Sequence, residues 1–105
     1  MQFKNVSIVK QANIYLDGLV TSRTLLFPDG SKKSLGIMMP GEFKFKTSEK
    51  ETKEIISGVF DVLLEGETEW KRYTAGTELV IPGNCTAEYK VHTVTDYCLS
   101  FETGE

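Results

Sequence analysis

The chain has 105 residues, of which 40% are hydrophobic and 26% are charged, and its formal net charge at pH 7 is −3. This length and composition predict a single folded domain over residues 1–105. The acidic balance, with only Arg23 and Arg72 as arginines, argues against nucleic acid as a partner, because phosphate backbones favour clustered Lys and Arg.

Neither a membrane segment nor a secretory signal is recognisable. No apolar run approaches the roughly 20 residues that a membrane helix needs. The first residues, Met-Gln-Phe-Lys-Asn, do not begin an apolar stretch of the kind that secretory signals carry. We therefore expect cytoplasmic residence and no membrane partner. Cys85 and Cys98 are too few for a disulfide framework and are not spaced as CxxC, so we expect free, buried thiols.

Short alternating runs that end at Gly, Pro or Asp follow one another along the chain. No stretch repeats apolar positions at i, i+3, i+4 and i+7, so a substantial helix is not expected. Residues 6–9 can form an edge strand. The other predicted strands are Leu19–Phe27, Ser34–Met39, Glu42–Thr47, Ile55–Ile56, Val59–Leu64, Glu69–Tyr73, Thr77–Ile81, Cys85–Val91 and Val94–Phe101. So many short strands in one small domain predict an all-β sandwich or barrel.

Two connections in the middle of the chain matter for the site. Gly58 lies between two apolar runs, which predicts a hairpin from Ile55–Ile56 to Val59–Leu64. The segment Thr47–Lys53 is charged and lacks a strand pattern. We therefore predict a loop over the mouth of a barrel there.

Glycines and a proline punctuate the chain at spacings that resemble the two cupin motifs, G-x5-H-x-H-x3-4-E-x6-G and G-x5-P-x-G-x2-H. The matching positions are Gly41, Glu51 and Gly58 in the first motif, and Gly76 with Pro82-Gly83 in the second. This resemblance implies an all-β, cupin-like jelly-roll barrel formed by the single domain.

The histidines of those motifs are missing. Phe45 and Thr47 stand at the first pair of histidine positions, and Ala87 stands at the last. The chain has one histidine, His92, whereas a metal site of the cupin kind needs several imidazoles and a carboxylate. We therefore expect no metal.

A more specific resemblance extends over residues 13–101. The motifs that carry it are Asn13-x-Tyr15-x-x-Gly18, Ser34-x-Gly36, Gly41-Glu42-Phe43-x-Phe45-x-Thr47, Glu49, Glu51, Ile56-Ser57-Gly58 and Trp70-x-x-Tyr73-x-x-Gly76. In this order and spacing the chain resembles the pyrimidine/purine nucleoside phosphorylase family of small bacterial cupins. The resemblance implies phosphorolysis of nucleosides to free base and pentose 1-phosphate, with nucleosides and inorganic phosphate as partners and no cofactor. Phe43 and Phe101 depart from it, since the family can carry Tyr at both positions.

Such a reaction requires a site that holds phosphate, fixes the ribose, faces the base and supports the leaving group with a hydrogen bond. If Phe45 faces inward, its ring can stack on any base, and Thr47 offers a hydroxyl. Glu51 points toward the central cavity in the cupin pattern. There it can bind ribose hydroxyls or, if it is desolvated, donate a proton to the leaving base. Glu49 is the second catalytic candidate.

Three further residues complete the predicted substrate site. Glu42 follows the Pro40-Gly41 turn, Tyr97 lies in the last strand with a hydroxyl to offer, and Lys32 is the candidate for phosphate because the family carries a basic residue there. Core packing or solvation explains each of these residues equally simply. A non-catalytic cupin that binds a small molecule therefore remains an alternative. A homodimer is expected because two-fold dimers are the commonest soluble oligomers.

Overall fold

The computed structural model describes residues 2–102 and contains eleven β-strands and one 3₁₀ turn, Leu16–Gly18. The strands are β1 (Ser7–Ile8), β2 (Asn13–Tyr15), β3 (Val20–Leu26), β4 (Lys32–Met38), β5 (Gly41–Lys46), β6 (Lys50–Ser57), β7 (Val59–Leu64), β8 (Lys71–Thr74), β9 (Glu78–Ile81), β10 (Thr86–Val91) and β11 (Thr95–Glu102). Met1 and residues 103–105, which the single-domain prediction includes, lie outside the described residues. No helix within residues 2–102 has the length and apolar character that crossing a membrane requires.

The strands form two antiparallel sheets. The larger sheet has the order β1-β3-β4-β11-β6-β9, with β2 also paired to β3, and the smaller has the order β5-β10-β7-β8. Strands that are distant in sequence lie side by side, as when β11 inserts between β4 and β6, which is typical of a jelly roll. The all-β prediction is therefore confirmed, and β1 is the predicted edge strand.

Side chains from both sheets form the core. Strand β10 shows the two-residue period directly, because Ala87, Tyr89 and Val91 are buried while the residues between them are half-exposed. At one end the core is apolar, with Phe60 stacked on Tyr73 at 5.7 Å between ring centroids. Cys85 and Cys98 are free and buried, as predicted.

The hairpin predicted at Gly58 is wrong. Strand β6 belongs to the larger sheet and β7 to the smaller, so the chain crosses between layers here. Gly58 has φ +106°, and a Cβ atom added to it would lie 2.5 Å from Thr95 Oγ1. Glycine is required because only a residue without a side chain can turn this tightly against β11.

The loop predicted over Thr47–Lys53 is also wrong for its second half, because β6 begins at Lys50. Glu51 and Lys53 face the interior with Ile55, while Glu54 is exposed on the opposite face of the strand. Two charged side chains on the inner face hide the alternation of polar and apolar residues that normally identifies a strand. Their burial requires a polar space between the sheets.

Candidate active site

That space is a cavity of about 110 Å³ between the two sheets. It reaches the surface beside Tyr15 and Lys46, both of which are exposed. The lining side chains with hydrogen-bonding groups or aromatic rings include Tyr15, Ser22, Ser34, Phe45, Thr47, Glu51, Lys53, Tyr89, Tyr97 and Phe101. An enclosed space that combines acidic, basic and aromatic groups is the usual form of a small-molecule site.

Glu51 is the carboxyl group of this cavity. It lies on β6 between Phe101 of β11 and Ile81 of β9, and it is half-buried. Burial raises the pKa of Glu51, the positive charge of Lys53 offsets part of that rise, and the negative charge of Glu49 adds to it. A carboxyl group with a raised pKa can carry a proton closer to neutral pH and deliver it to a leaving group.

Lys53 is a buried cation two residues further along β6, and only 6% of its surface is exposed. Its Nζ donates a hydrogen bond to Tyr89 Oη at 2.9 Å and lies 3.7 Å from Met38 Sδ. The same atom lies 4.5 Å from the centroid of the Tyr89 ring and 4.8 Å from that of the Tyr97 ring. Burial lowers the pKa of Lys53 to about 8, although the charge of Glu51 opposes that change.

Aromatic rings form one wall of the cavity and its mouth. The Phe45 ring meets the Tyr15 ring edge to face, with 5.3 Å between centroids. Phe45 pairs across the sheet with Ala87, whose small side chain leaves room beside the ring. Phe101, on β11 of the larger sheet, lines the cavity from the side opposite Phe45. Such rings can stack on bases without selecting one base over another.

The Tyr97 ring forms the floor of the cavity, and it lies over Gly36 of the neighbouring strand β4. A Cβ atom on Gly36 would lie 2.5 Å from Tyr97 Cζ, so the ring occupies the place of the missing side chain. The Tyr97 hydroxyl donates to the backbone oxygen of Thr21 at 3.4 Å. Burial raises the pKa values of both Tyr89 and Tyr97, so both phenols keep their protons.

Thr47 uses its hydroxyl to fix the cavity wall. Thr47 Oγ1 donates to Pro82 O at 2.5 Å and accepts from the backbone N–H of Cys85 at 3.1 Å. The hydroxyl is therefore committed to the adjoining turn within the protein, even though Thr47 lines the cavity.

The structure brings four of the residues predicted from sequence together at the cavity: Phe45, Thr47, Glu51 and Tyr97. It does not bring the other three into the lining. Glu42 is exposed on the outer face of β5, opposite Lys90. Lys32 is exposed with its Nζ 5.2 Å from the Phe101 ring centroid, and Glu49 is half-buried next to Glu51.

Sequence reasoning missed Lys53 and Tyr89, as well as Ser22 and Ser34 in the lining. One signal was available for Lys53. It stands two residues before the apolar Ile55, a spacing that puts both side chains on the same face of a strand. The serines show the same spacing, with Ser22 two residues after Val20 and Ser34 four residues before Met38. The signal is weak for them because polar residues in strands usually face solvent.

No three His, Cys, Asp or Glu side chains within residues 2–102 lie close enough together to hold a metal ion. His92, which is exposed, lies with its Nε2 2.9 Å from Asp61 Oδ2.

Two facing sheets around a cavity with a carboxyl group, an ammonium group and aromatic walls define a small all-β protein of cupin-like fold. The sequence model for pyrimidine/purine nucleoside phosphorylase matches residues 10–101. Over 100 residues the chain is 52% identical to a pyrimidine/purine nucleoside phosphorylase of Trichlorobacter lovleyi, and the match covers 95% of this chain and 96% of that protein. The chain belongs to the pyrimidine/purine nucleoside phosphorylase family.

Two solved structures share the fold. A protein of unknown function from Acinetobacter sp. ADP1 is 37% identical, with a TM-score of 0.92 over 96% of this chain and 98% of that one. The Clostridium difficile EutQ protein, at 16% identity, has a TM-score of 0.67 over 82% of this chain and 70% of that one. The second likeness concerns the fold alone.

Proposed function

We propose that this protein is a nucleoside phosphorylase that converts purine and pyrimidine nucleosides and phosphate to free base and pentose 1-phosphate. The observation that carries the proposal is the cavity between the sheets, in which Glu51, Lys53 and aromatic rings converge. Membership of the pyrimidine/purine nucleoside phosphorylase family selects this reaction among those that such a cavity suits.

In this reaction a phosphate oxygen bonds to the anomeric carbon while the bond from that carbon to the base nitrogen breaks. The bonding electrons leave with the base, which then takes up a proton. Developing charge on the base is the largest electrostatic demand, and a positioned acid meets it. We assign that role to Glu51, because its raised pKa suits a group that holds a proton for transfer.

Binding of the base follows from the mouth of the cavity. Phe45 and Tyr15 lie there, and a base stacked on Phe45 makes no hydrogen bonds that depend on its identity. This supports acceptance of both purines and pyrimidines. The pentose then lies deeper, beside Glu51, and the Tyr97 ring closes the floor.

For the other residues predicted from the sequence we propose supporting roles. Glu49 acts through its charge on Glu51, and Lys32 at the rim beside Phe101 attracts anions. Thr47 shapes the wall rather than offering a free hydroxyl. A substrate role for Glu42, a homodimer and a cytoplasmic location remain predictions from the sequence.

The test is the release of free base from uridine and from adenosine by purified, chelator-treated protein, with and without phosphate. We expect release from both nucleosides that depends on phosphate and yields one pentose 1-phosphate for each base. A folded protein that releases no base in either condition contradicts the proposal and favours the non-catalytic binding protein.

A further inference from the structure

Lys53 carries a positive charge into the cavity without forming an ion pair, although Glu51 on the same face of β6 acts on it through its charge. Within residues 2–102 no carboxylate oxygen lies within 4.0 Å of its Nζ. Its contacts are the hydroxyl and ring of Tyr89, the ring of Tyr97 and the sulfur of Met38, all of them neutral. A buried charge normally requires an ionic partner, because the desolvation of each ion costs roughly several kcal/mol.

Other cations cannot serve the interior of the cavity as Lys53 can. Lys32 is exposed and is not part of the lining, and Lys46 lines the cavity but is exposed at the mouth. Arg72 is exposed and forms a bidentate pair with Asp61 on the outer face of the smaller sheet. Of the lysines and arginines within residues 2–102, Lys53 alone is both buried and part of the lining.

Two lining residues, Tyr89 and Ser34, offer hydroxyl groups to the same cavity as Lys53. Tyr89 accepts the hydrogen bond from Lys53, which leaves its own proton available for donation. Ser34 lies in the same row across the larger sheet, since Lys53 pairs with Leu99 and Leu99 pairs with Ser34. An ammonium group together with hydroxyl donors is suited to phosphate oxygens.

We infer that Lys53 binds the phosphate substrate, with help from the hydroxyl groups of Tyr89 and Ser34. This inference rests on the proposed phosphorylase function and names the residue that holds its anionic substrate. Phosphate then lies in the interior, the pentose lies beside Glu51, and the base lies toward Phe45. This order puts the attacking oxygen on the opposite side of the pentose from the mouth.

The direct test is binding of inorganic phosphate alone, measured by calorimetry near pH 7 without nucleoside. We expect Lys53→Met to raise the Kd for phosphate by about 10-fold or more, the usual effect of losing a charged hydrogen bond. Lys44→Met is the matched control, because Lys44 is exposed on the outer face of β5. Lys53→Gln, with a thermal unfolding curve for each variant, covers the case in which the methionine variant fails to fold.

The outcomes separate this inference from the proposed function. Phosphate binding that depends on Lys53, in a protein that releases no base, supports the anion site and contradicts the phosphorylase. Phosphate-dependent base release with an unchanged Kd for phosphate in folded Lys53 variants supports the phosphorylase and overturns the role of Lys53. Absence of phosphate binding by the wild-type protein also overturns it.

Discussion

Two clusters of charged residues, one in the cavity and one on the surface, differ in whether their charges are paired. On the outer face of the smaller sheet, Asp61 accepts hydrogen bonds from Arg72 Nε at 2.9 Å and from Arg72 Nη2 at 3.2 Å, and His92 Nε2 lies 2.9 Å from it. In the cavity, Glu51 and Lys53 share one face of β6, yet no ion pair within 4.0 Å joins them.

The pKa values record this difference. Hydrogen bonds from Arg72 and then His92 lower the pKa of Asp61 to about 2, which favours its charged form. Burial shifts both cavity residues toward their neutral forms, raising the pKa of Glu51 and lowering that of Lys53. The surface cluster is satisfied without a ligand, whereas the cavity holds charges at a cost to stability, as functional sites do.

The largest effect is expected from Glu51→Gln. The amide cannot hold or transfer the proton, so kcat for base release should fall by about 100-fold or more. Steady-state rates with uridine at saturating phosphate give this number. Glu54→Gln is the matched control, because Glu54 lies on the same strand with its side chain exposed on the opposite face. An unchanged rate in folded Glu51→Gln protein removes Glu51 from the mechanism.

Lys53→Met should change how stability depends on pH. In the unfolded chain Lys53 binds a proton up to a pKa near 10.5, but in the folded protein only up to about 8. Between these values the unfolded state binds more protons, so wild-type stability should rise with pH relative to the variant, by about 3 kcal/mol in total. Urea unfolding of both proteins at pH 7.5 and pH 10.5 measures the change. Parallel profiles would show that the lysine is not desolvated.

Thr47→Val tests whether the cavity wall depends on an internal hydroxyl. Valine has a similar shape but leaves Pro82 O and the Cys85 N–H without their partner, which should cost about 1–3 kcal/mol. Thr47→Ser retains the hydroxyl and should cost clearly less. The comparison uses the free energies of unfolding in urea, and equal losses for both variants would contradict the assigned role.

Asp61→Asn should have the smallest effect. The pairs it breaks involve exposed partners, so the loss of stability near pH 7 should stay below about 1 kcal/mol, and base release should not change. The folded-state pKa of Asp61 is depressed, so this contribution should be present above about pH 4 and disappear as the pH falls through about 2. A loss of activity in Asp61→Asn would show that the surface cluster also contributes to base release, which would contradict the distinction between the two clusters.

Much of the fold follows from alternation along the strands. The predicted strands at Glu42–Thr47 and Cys85–Val91 correspond closely to β5 and β10, because their inner faces are apolar and their outer faces polar. The hairpin prediction at Gly58 is wrong because a turn signal does not reveal whether the next strand joins the same sheet or the facing one.

The site was predictable only in part for a related reason. Phe45 and Glu51 could be identified from motif positions, and Tyr97 from its place in the last strand. For Lys53 the spacing to Ile55 was the one signal, and it is weak, since a charged residue facing inward resembles a loop residue until its tertiary partner is known. That partner, Tyr89, comes from a strand 36 positions later in the chain.

A crystal structure with uridine and sulfate, a non-reacting substitute for phosphate, tests the central claim most directly. We expect uridine between the two sheets with its base against Phe45 and its pentose beside Glu51, and a sulfate oxygen within hydrogen-bond distance of Lys53 Nζ. Both ligands bound outside the cavity, with the Lys53 environment unchanged, would contradict the account.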